Sequence, residues 1–473
     1  MAKSQLKDFN ADLSEWFNDV VLKAELADYA PVKGCMIIRP YGYALWEGIQ
    51  SFLDKLIKEK GVKNAYFPLF IPIHYLQKEK EHIKGFSPQL AIVTIGGGEE
   101  LTEKLAVRPT SETIMYGMYK KWTSSWRELP ILINQWCNVV RWEKRTYLFL
   151  RTSEFLWQEG HCAHLTSKEN MDMVLWALDA YEKTYNDLLA MYGIKGVKSD
   201  AEKFAGAGST FSLECLMPNG KALQSATSHD LSQNFSKSFD WTVQDKNKAK
   251  VYPYQNSWGL STRSIGGLIM AHGDENGLKL PPLIAPIQVV IVPIPGHATA
   301  LKLAQTLNIN LKKKFRVNLD TTDGETAGFK FNKWELKGVP LRLEIGDKDV
   351  SENRVTLCRR DTGEKITLPL LDLDKKIKEL LNTIQKSLFA QHKKFTDDHT
   401  FTVDSYDEFK KIMATTRGFI KAFWCENPDC ENEIKKDTKA TTRCLPLGSK
   451  EEEGKCIHCG GVSHHRWLFA LSY

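Results

Sequence analysis

The sequence predicts an α/β chain in three parts, and three observations carry that expectation. Arg141 to His161, RWEKRTYLFLRTSEFLWQEGH, reads as two apolar, strand-like runs about a short polar turn, so the first part holds a sheet. Past a proline-rich connector, KLPPLIAP, strands and helices alternate from about Ile287, the pattern of a small domain with a partly parallel sheet. Five of the ten cysteines crowd into the last fifty residues and mark a final unit. The expected boundaries are 1–283, 284–395 and 396–473.

The elements follow in order. Residues 6 to 26 read as an amphipathic helix, with Leu6, Phe9, Leu13, Trp16, Phe17 and Val20 near helical spacing. GCMIIRPYG is a short strand stopped by Pro40, and a helix runs from about Tyr43 to Lys60, with Gly61 as its end signal. AYFPLFIPI is extended, because proline is excluded from helix interiors. Residues 168 to 192 read as one long helix, and strands with glycine turns run on to about Gly273. IQVVIVPI, FRVNLD and PLRLEIG are strands of the second part, with a helix near 298–315 between the first two and a lysine-rich helix at 374–395 closing it.

Composition excludes some classes. The charged fraction is 26% and the net charge +6, which permits nucleic-acid binding without showing it. No apolar run is long enough to cross a membrane, and the N-terminus has no apolar core of a signal peptide. Cys35, Cys137, Cys162, Cys215 and Cys358 are isolated, which fits a reducing cytosol better than a disulfide framework. A cytoplasmic protein is expected.

Chemistry concentrates in a few constellations. In the predicted hairpin the first run ends near Glu143, Lys144–Thr146 turns, and the second run starts near Tyr147. Arg141 and Glu143, two apart, share a face; Arg141 suits a phosphate, Glu143 an amine donor, and Phe155 a flat base. In RPTSET, Thr110 or Ser111 caps the following helix, while Thr110 and Glu112 are also suited to a substrate ammonium. QSATSHDLSQNF, with His229, is polar and small, as expected of a loop or site mouth. Arg263 stands between a glycine-containing strand and an apolar helix start, suited to an adenine face and distal phosphates. Cys425-x4-Cys430 and Cys456-x2-Cys459 suit a tetrahedral zinc–thiolate site, with Cys444, His458 and His464 as alternative ligands.

Together these segments resemble the three motifs of a class II aminoacyl-tRNA synthetase: the helix and proline around Cys35 to Gln50, Arg141-x-Glu143 with Phe155, and Ser261-Thr262-Arg263. RPTSET, NQWCNVVRWE, FLWQEGH, TSHDLSQNF and NSWGLSTR resemble, more narrowly, the prolyl-tRNA synthetases of archaeal and eukaryotic type. The resemblance implies an α+β catalytic domain on an antiparallel sheet, an α/β anticodon-binding domain, and a C-terminal domain that often carries structural zinc. It implies a ligase of protein biosynthesis, ATP as substrate with Mg2+ as its metal, tRNA(Pro) as acceptor, and a homodimer formed through the first motif. Phe86, Thr110, Glu112, Arg141, Trp157, Glu159, His161, Phe204 and His229 match the proline pocket, with His161 expected at its rim. Arg141, Glu143, Arg151, Phe155, Gln224, Thr227, Ser261 and Arg263 match the ATP site, and KFAGAGST (203–210) resembles a loop that covers proline. Arg141 and Arg263 are the expected catalytic cations. Arg342, Glu344 and Lys348 are candidates to read anticodon bases. The span from Cys162 to Asn256 is too short for an added hydrolytic editing domain. A synthetase for threonine, histidine or glycine, and a noncatalytic RNA-binding relative, are the competing readings.

Overall fold

The computed structural model describes residues 6–78 and 90–473; Phe86, expected in the pocket, lies outside them. The backbone of the molecule is an eleven-stranded sheet. Its centre is antiparallel, running Gly193–Val197, Ser209–Leu216, Lys221–Ser232, Tyr254–Ser261, Glu154–His164 and Ile131–Val140. The short strand Lys63–Asn64 adds in parallel beyond Ile131–Val140.

Alternation along these strands separates two faces. One face is apolar and buried. Trp258 lies opposite Gly160, where a Cβ would come within 2.1 Å of the indole, and its ring meets Trp176 and Tyr181. Those two residues belong to helix Ser167–Lys183, which starts at a capping box between Thr166 and Glu169. The expected single helix over 168–192 instead ends as a wide turn, Thr184–Leu188, closed by Leu189 N–H to Thr184 O at 3.2 Å. The first helix is also shorter than expected. Asp12 caps Leu13–Lys23 by accepting from the amides of Ser14 and Glu15 at 2.8 and 3.1 Å, and Asp8 holds the preceding residues in a turn. Pro40 begins helix Pro40–Glu59, as a residue without an N–H does at no loss.

The second part is a five-stranded sheet ordered Val317–Leu319, Val289–Pro293, Leu341–Ile345, Arg354–Arg359, Lys365–Pro369. The first three strands are parallel and the last two antiparallel, matching the partly parallel expectation. Helices Ala298–Leu311 and Leu373–Asp398 pack on it. The long helix also binds the central sheet: His392 Nδ1 accepts from Tyr192 N–H at 3.0 Å and its Nε2 faces Leu216 O at 3.0 Å.

Apart from a two-stranded ribbon, Gly454–Lys455 with Val462–Ser463, the cysteine-bearing unit does not form a separate sheet. Strands Thr400–Thr402, Phe419–Phe423, Arg466–Ser472 and Thr441–Pro446 extend the central sheet, with Leu445 and Pro446 paired to Val197 and Gly196. The last strand also pairs in parallel with Lys221 and Ala222. Two buried cations close the junction on one carboxylate. Lys198 Nζ lies 3.1 Å from Glu214 Oε1, and Arg443 donates to Glu214 Oε2 at 2.8 and 3.1 Å.

Candidate active site

The polar face of the central sheet lines a cavity of about 260 Å3. Register places its side chains in rows. Gln135, Glu159, Gly259 and Thr227 stand side by side across four strands, and His161, Ser257 and His229 form the next row. Glycine at 259 leaves the middle of the first row open. The QSATSHDLS part of QSATSHDLSQNF is therefore strand (Lys221–Ser232), not loop, and its polarity reflects a wet sheet face; Asn234 and Phe235 begin a short helix. Asp230 points off that face and holds helix Ser167–Lys183 through Asn170 Nδ2 at 2.8 Å.

One corner is organised by a turn and a carboxylate. Arg108 is buried and donates to Phe67 O, Asn138 O and Asn138 Oδ1 at 2.7, 2.7 and 2.9 Å, fixing the chain as it enters Pro109. Thr110 Oγ1 donates to Glu112 Oε2 at 2.5 Å, so these two oxygens meet in the cavity. Ser111 occupies the cap position but makes no side-chain capping bond. Its hydroxyl donates to Glu159 Oε1 at 2.5 Å instead, because the buried carboxylate is the stronger acceptor. Glu159 also accepts from Gln135 Nε2 at 2.7 Å and Cys137 Sγ at 3.3 Å, and faces His161 Nε2 at 2.8 Å. Burial alone would raise the Glu159 carboxyl; the bonds from His161, Ser111 and Gln135 outweigh it and hold it down at about 2. For His161, burial works against protonation, but Glu112 and Glu159 prevail and raise it. His161 is wholly buried, so it forms floor rather than the expected rim.

The second corner is aromatic and cationic. The Arg141 guanidinium lies 5.5 Å from the Phe155 ring centre and 5.3 Å from that of Trp157, and its Nε donates to Pro109 O at 3.1 Å. Burial lowers Arg141 to about 10 against the pull of Glu112, so it remains a cation at neutral pH. Arg263 opens helix Arg263–His272 and is fixed by Leu150 O at 3.0 Å. Gln224, Thr227 and Ser261 line the cavity with it.

The covering wall is the loop between Val197 and Ser209. Lys198 N–H pairs with Thr210 O at 2.8 Å and closes its base. Phe204 stacks on His229 with ring centres 4.5 Å apart, while Thr210 Oγ1 meets Phe204 N–H and His229 Nδ1, each at 2.9 Å. Burial lowers His229 to about 4, so its imidazole is neutral.

Two expectations fail in detail. The hairpin has no tight turn at 144–146 and no strand from Tyr147. Strand Ile131–Val140 stops before Arg141, the next begins at Glu154, and Leu148, Phe149 and Leu150 are drawn down into the core between them. Glu143 and Arg151 consequently sit on that excursion, 3.8 Å apart, outside the 260 Å3 cavity. Arg151 lines an adjoining cavity of about 190 Å3 with Arg145, Lys221, Arg263 and Tyr473. Sequence reasoning also missed Ser111, Gln135, Lys198 and Ser257 as parts of the site; alternation of polar residues in NQWCN is the signal that marks Gln135.

Elsewhere, Cys425, Cys430, Cys456 and Cys459 bring four sulfurs within 4.8 Å of one another, and Cys425 and Cys459 are 3.7 Å apart. A tetrahedron with Zn–S of about 2.3 Å has S···S edges of about 3.8 Å, so the set fits zinc. Cys444 is buried in the sheet and all ten cysteines are free thiols. Arg342 and Glu344 are not free strand-end groups: Arg342 donates to Glu344 Oε1 at 2.9 and 3.0 Å and lies over Phe331, and Lys365 takes the other oxygen at 2.8 Å. Lys348 is exposed.

Comparison with known proteins agrees with this architecture. Residues 94–272 match the tRNA synthetase class II core domain (G, H, P, S and T), 288–380 the anticodon binding domain, and 406–473 the prolyl-tRNA synthetase C-terminal domain. The chain is 50% identical over 470 residues to a proline–tRNA ligase of Alkaliphilus oremlandii, covering 99% of this chain and 98% of that one. It is 52% identical over 452 residues to one of Natranaerobius thermophilus, covering 95% and 93%. The crystal structure of prolyl-tRNA synthetase from Cryptosporidium parvum, complexed with halofuginone and AMPPNP, superposes with a TM-score of 0.95 at 43% identity, over 99% of each chain. Class II core, anticodon-binding fold and C-terminal unit thus occur in one chain, which belongs to the prolyl-tRNA synthetase family of class II aminoacyl-tRNA synthetases.

Proposed function

We propose that the chain activates L-proline with MgATP, releasing pyrophosphate, and transfers the prolyl group to the 3′ end of tRNA(Pro). The observation that carries this reading is one cavity holding a paired Thr110–Glu112, the Arg141 cation against Phe155 and Trp157, and Arg263. Glu112 and Thr110 receive the secondary ammonium of proline. Trp157, Phe204 and the neutral His229 wall its ring. Arg141 bridges the proline carboxylate and the α-phosphate, and Arg263 meets the nucleotide. A carboxylate oxygen then attacks the α-phosphorus and the bond to the bridging oxygen of pyrophosphate breaks. No protein nucleophile takes part; positioning and fixed charge lower the barrier. Glu143 and Arg151 reach the nucleotide once the 141–153 excursion folds over it. Magnesium arrives on the nucleotide phosphates.

Zinc in the four-cysteine set is structural, since four thiolates leave no open position. Arg342, Glu344 and Lys348 lie on the anticodon-binding fold and serve there as a paired surface and one exposed cation. Tyr29, Val32, Ile37 and Tyr43 are exposed apolar residues about the first motif and support a homodimer. Among the described residues no helix is long and apolar enough to cross a membrane, and we assign the protein to the cytoplasm, where translation enzymes act. Between Cys162 and Asn256 the chain supplies helix Ser167–Lys183 and the central-sheet strands Gly193–Val197, Ser209–Leu216 and Lys221–Ser232, and we infer no cis editing domain; hydrolysis of alanyl-tRNA by the isolated protein would contradict it.

The deciding experiment is amino-acid-dependent ATP–pyrophosphate exchange. Proline should support it, cysteine weakly, and threonine, histidine and glycine not at all. Binding of ATP with no exchange for any amino acid would favour a noncatalytic protein.

A further inference from the structure

The loop that covers the pocket is not held by the catalytic domain alone. Ser199, near its start, is buried, and its hydroxyl donates to Glu431 Oε1 at 3.1 Å and lies 3.0 Å from Thr442 Oγ1. Thr442 also hydrogen-bonds Glu431 Oε1. One turn further, Glu202 N–H bonds Ser199 O at 3.1 Å, and the Glu202 carboxylate lines the cavity while facing Lys435 Nζ at 3.8 Å. Glu431 and Lys435 sit four residues apart on one helix, Pro428–Thr438, and so share a face. That helix belongs to the C-terminal unit and carries Cys430 next to Glu431.

From this geometry we infer that Glu431 is a positioning residue for proline recognition, acting through Ser199 on the loop that carries Phe204 and closes onto Thr210. The inference rests on the reading of Phe204, Thr210 and His229 as walls of the proline pocket. The loop has two anchors. Its base is closed by the Lys198–Thr210 backbone bond, and its start is pinned by Glu431. Phe204 lies five residues from Ser199 and is stacked on His229, so slack at Ser199 is passed to the ring wall. The nucleotide side does not hang on this loop. Arg263, Gln224 and Ser261 stand on strands and a helix start of the central sheet. Loosening the loop therefore weakens proline while sparing ATP.

The test is a split of Michaelis constants in proline-dependent exchange. Glu431→Gln removes the charge but keeps the size, and Ser199→Ala removes the hydroxyl while leaving Thr442 on Glu431. Both should raise KM for proline about ten-fold, the effect of losing about 1.4 kcal/mol of binding, with KM for ATP within about two-fold. The double variant should be no worse than the worse single one, because both weaken the same link, glutamine keeping an acceptor oxygen but not the charge. Lys436→Ala, exposed on the same helix, should leave both constants unchanged. A folded Ser199→Ala with wild-type KM for proline overturns the inference, as does an equal rise in both constants. If Glu431→Gln fails to fold, Ser199→Ala decides alone. Absence of proline-dependent exchange in the wild type would instead sink the functional reading itself.

Discussion

Arg141→Ala separates the site's chemistry from its fold. Among its contacts with described residues, the substitution deletes a cation 5.5 and 5.3 Å from two aromatic ring centres and a 3.1 Å hydrogen bond to Pro109 O. Two cation–π contacts contribute about 0.5–1 kcal/mol each, and a hydrogen bond from a charged donor about 1.5–3 kcal/mol. Their sum, about 2.5–5 kcal/mol, is offset by relief of the cost of burying the guanidinium beside Arg263. The folded state thus loses little, and the melting temperature should move by only a few degrees. The reaction loses far more selectively. A single donor to developing charge is worth about 2.7–4 kcal/mol, or about 10²–10³ in rate, and Arg141 is assigned to two anions at once. Proline-dependent exchange should fall by at least that factor, with near-UV circular dichroism unchanged. Arg141→Lys restores charge without the planar fork and should recover only part of the loss. Exchange within about ten-fold of wild type in a folded Arg141→Ala protein would refute the assignment.

Three further outcomes follow from the packing. His392 and His272 are lowered by burial to about 4 and about 3, so the unfolded chain binds more protons below 6.5. Stability is full above 6.5 and falls as pH drops toward the folded values; going from 6.5 to about 5.5 should remove about 2 kcal/mol for the pair, and melts across that window should flatten in His392→Gln. Cys459→Ser should take zinc from one ion per chain to near none by elemental analysis and lower the thermal midpoint, whereas Cys444→Ser should retain the metal. Gly160→Ala pushes a methyl within 2.1 Å of the Trp258 ring and should destabilise by about 1–3 kcal/mol or more in denaturant melts.

Much of the site was legible because its chemistry lies in short, contiguous blocks. Thr110, Glu112, Arg141, Trp157, Glu159, His161, Phe204 and His229 all meet in one cavity. What sequence reasoning misread were the places where tertiary contacts overrule local preference. Lys144–Thr146 has the polarity of a tight turn, but Leu148–Leu150 find a core below them and stretch the connection to 153. Ser111 stands where a cap belongs, yet its hydroxyl is taken by Glu159, forty-eight residues away. The polar run at 224–232 resembles a loop because polarity in a strand is ordinarily read as solvent, and here the sheet face itself is wet. The union of the last unit with the central sheet leaves no local trace, since its pairings join residues more than two hundred positions apart.

That union bears on how the protein could be dissected. A fragment ending after the third motif would leave strand Gly193–Val197 without the Leu445–Pro446 segment on its outer side, baring unpaired amides and carbonyls and a stretch that holds two glycines. It would also strand Lys198 and Glu214 without Arg443. Such a trimmed enzyme should stick to its own copies rather than behave as a minimal catalyst, and coexpressing the missing piece, rather than redesigning the cleft, is the remedy the topology recommends.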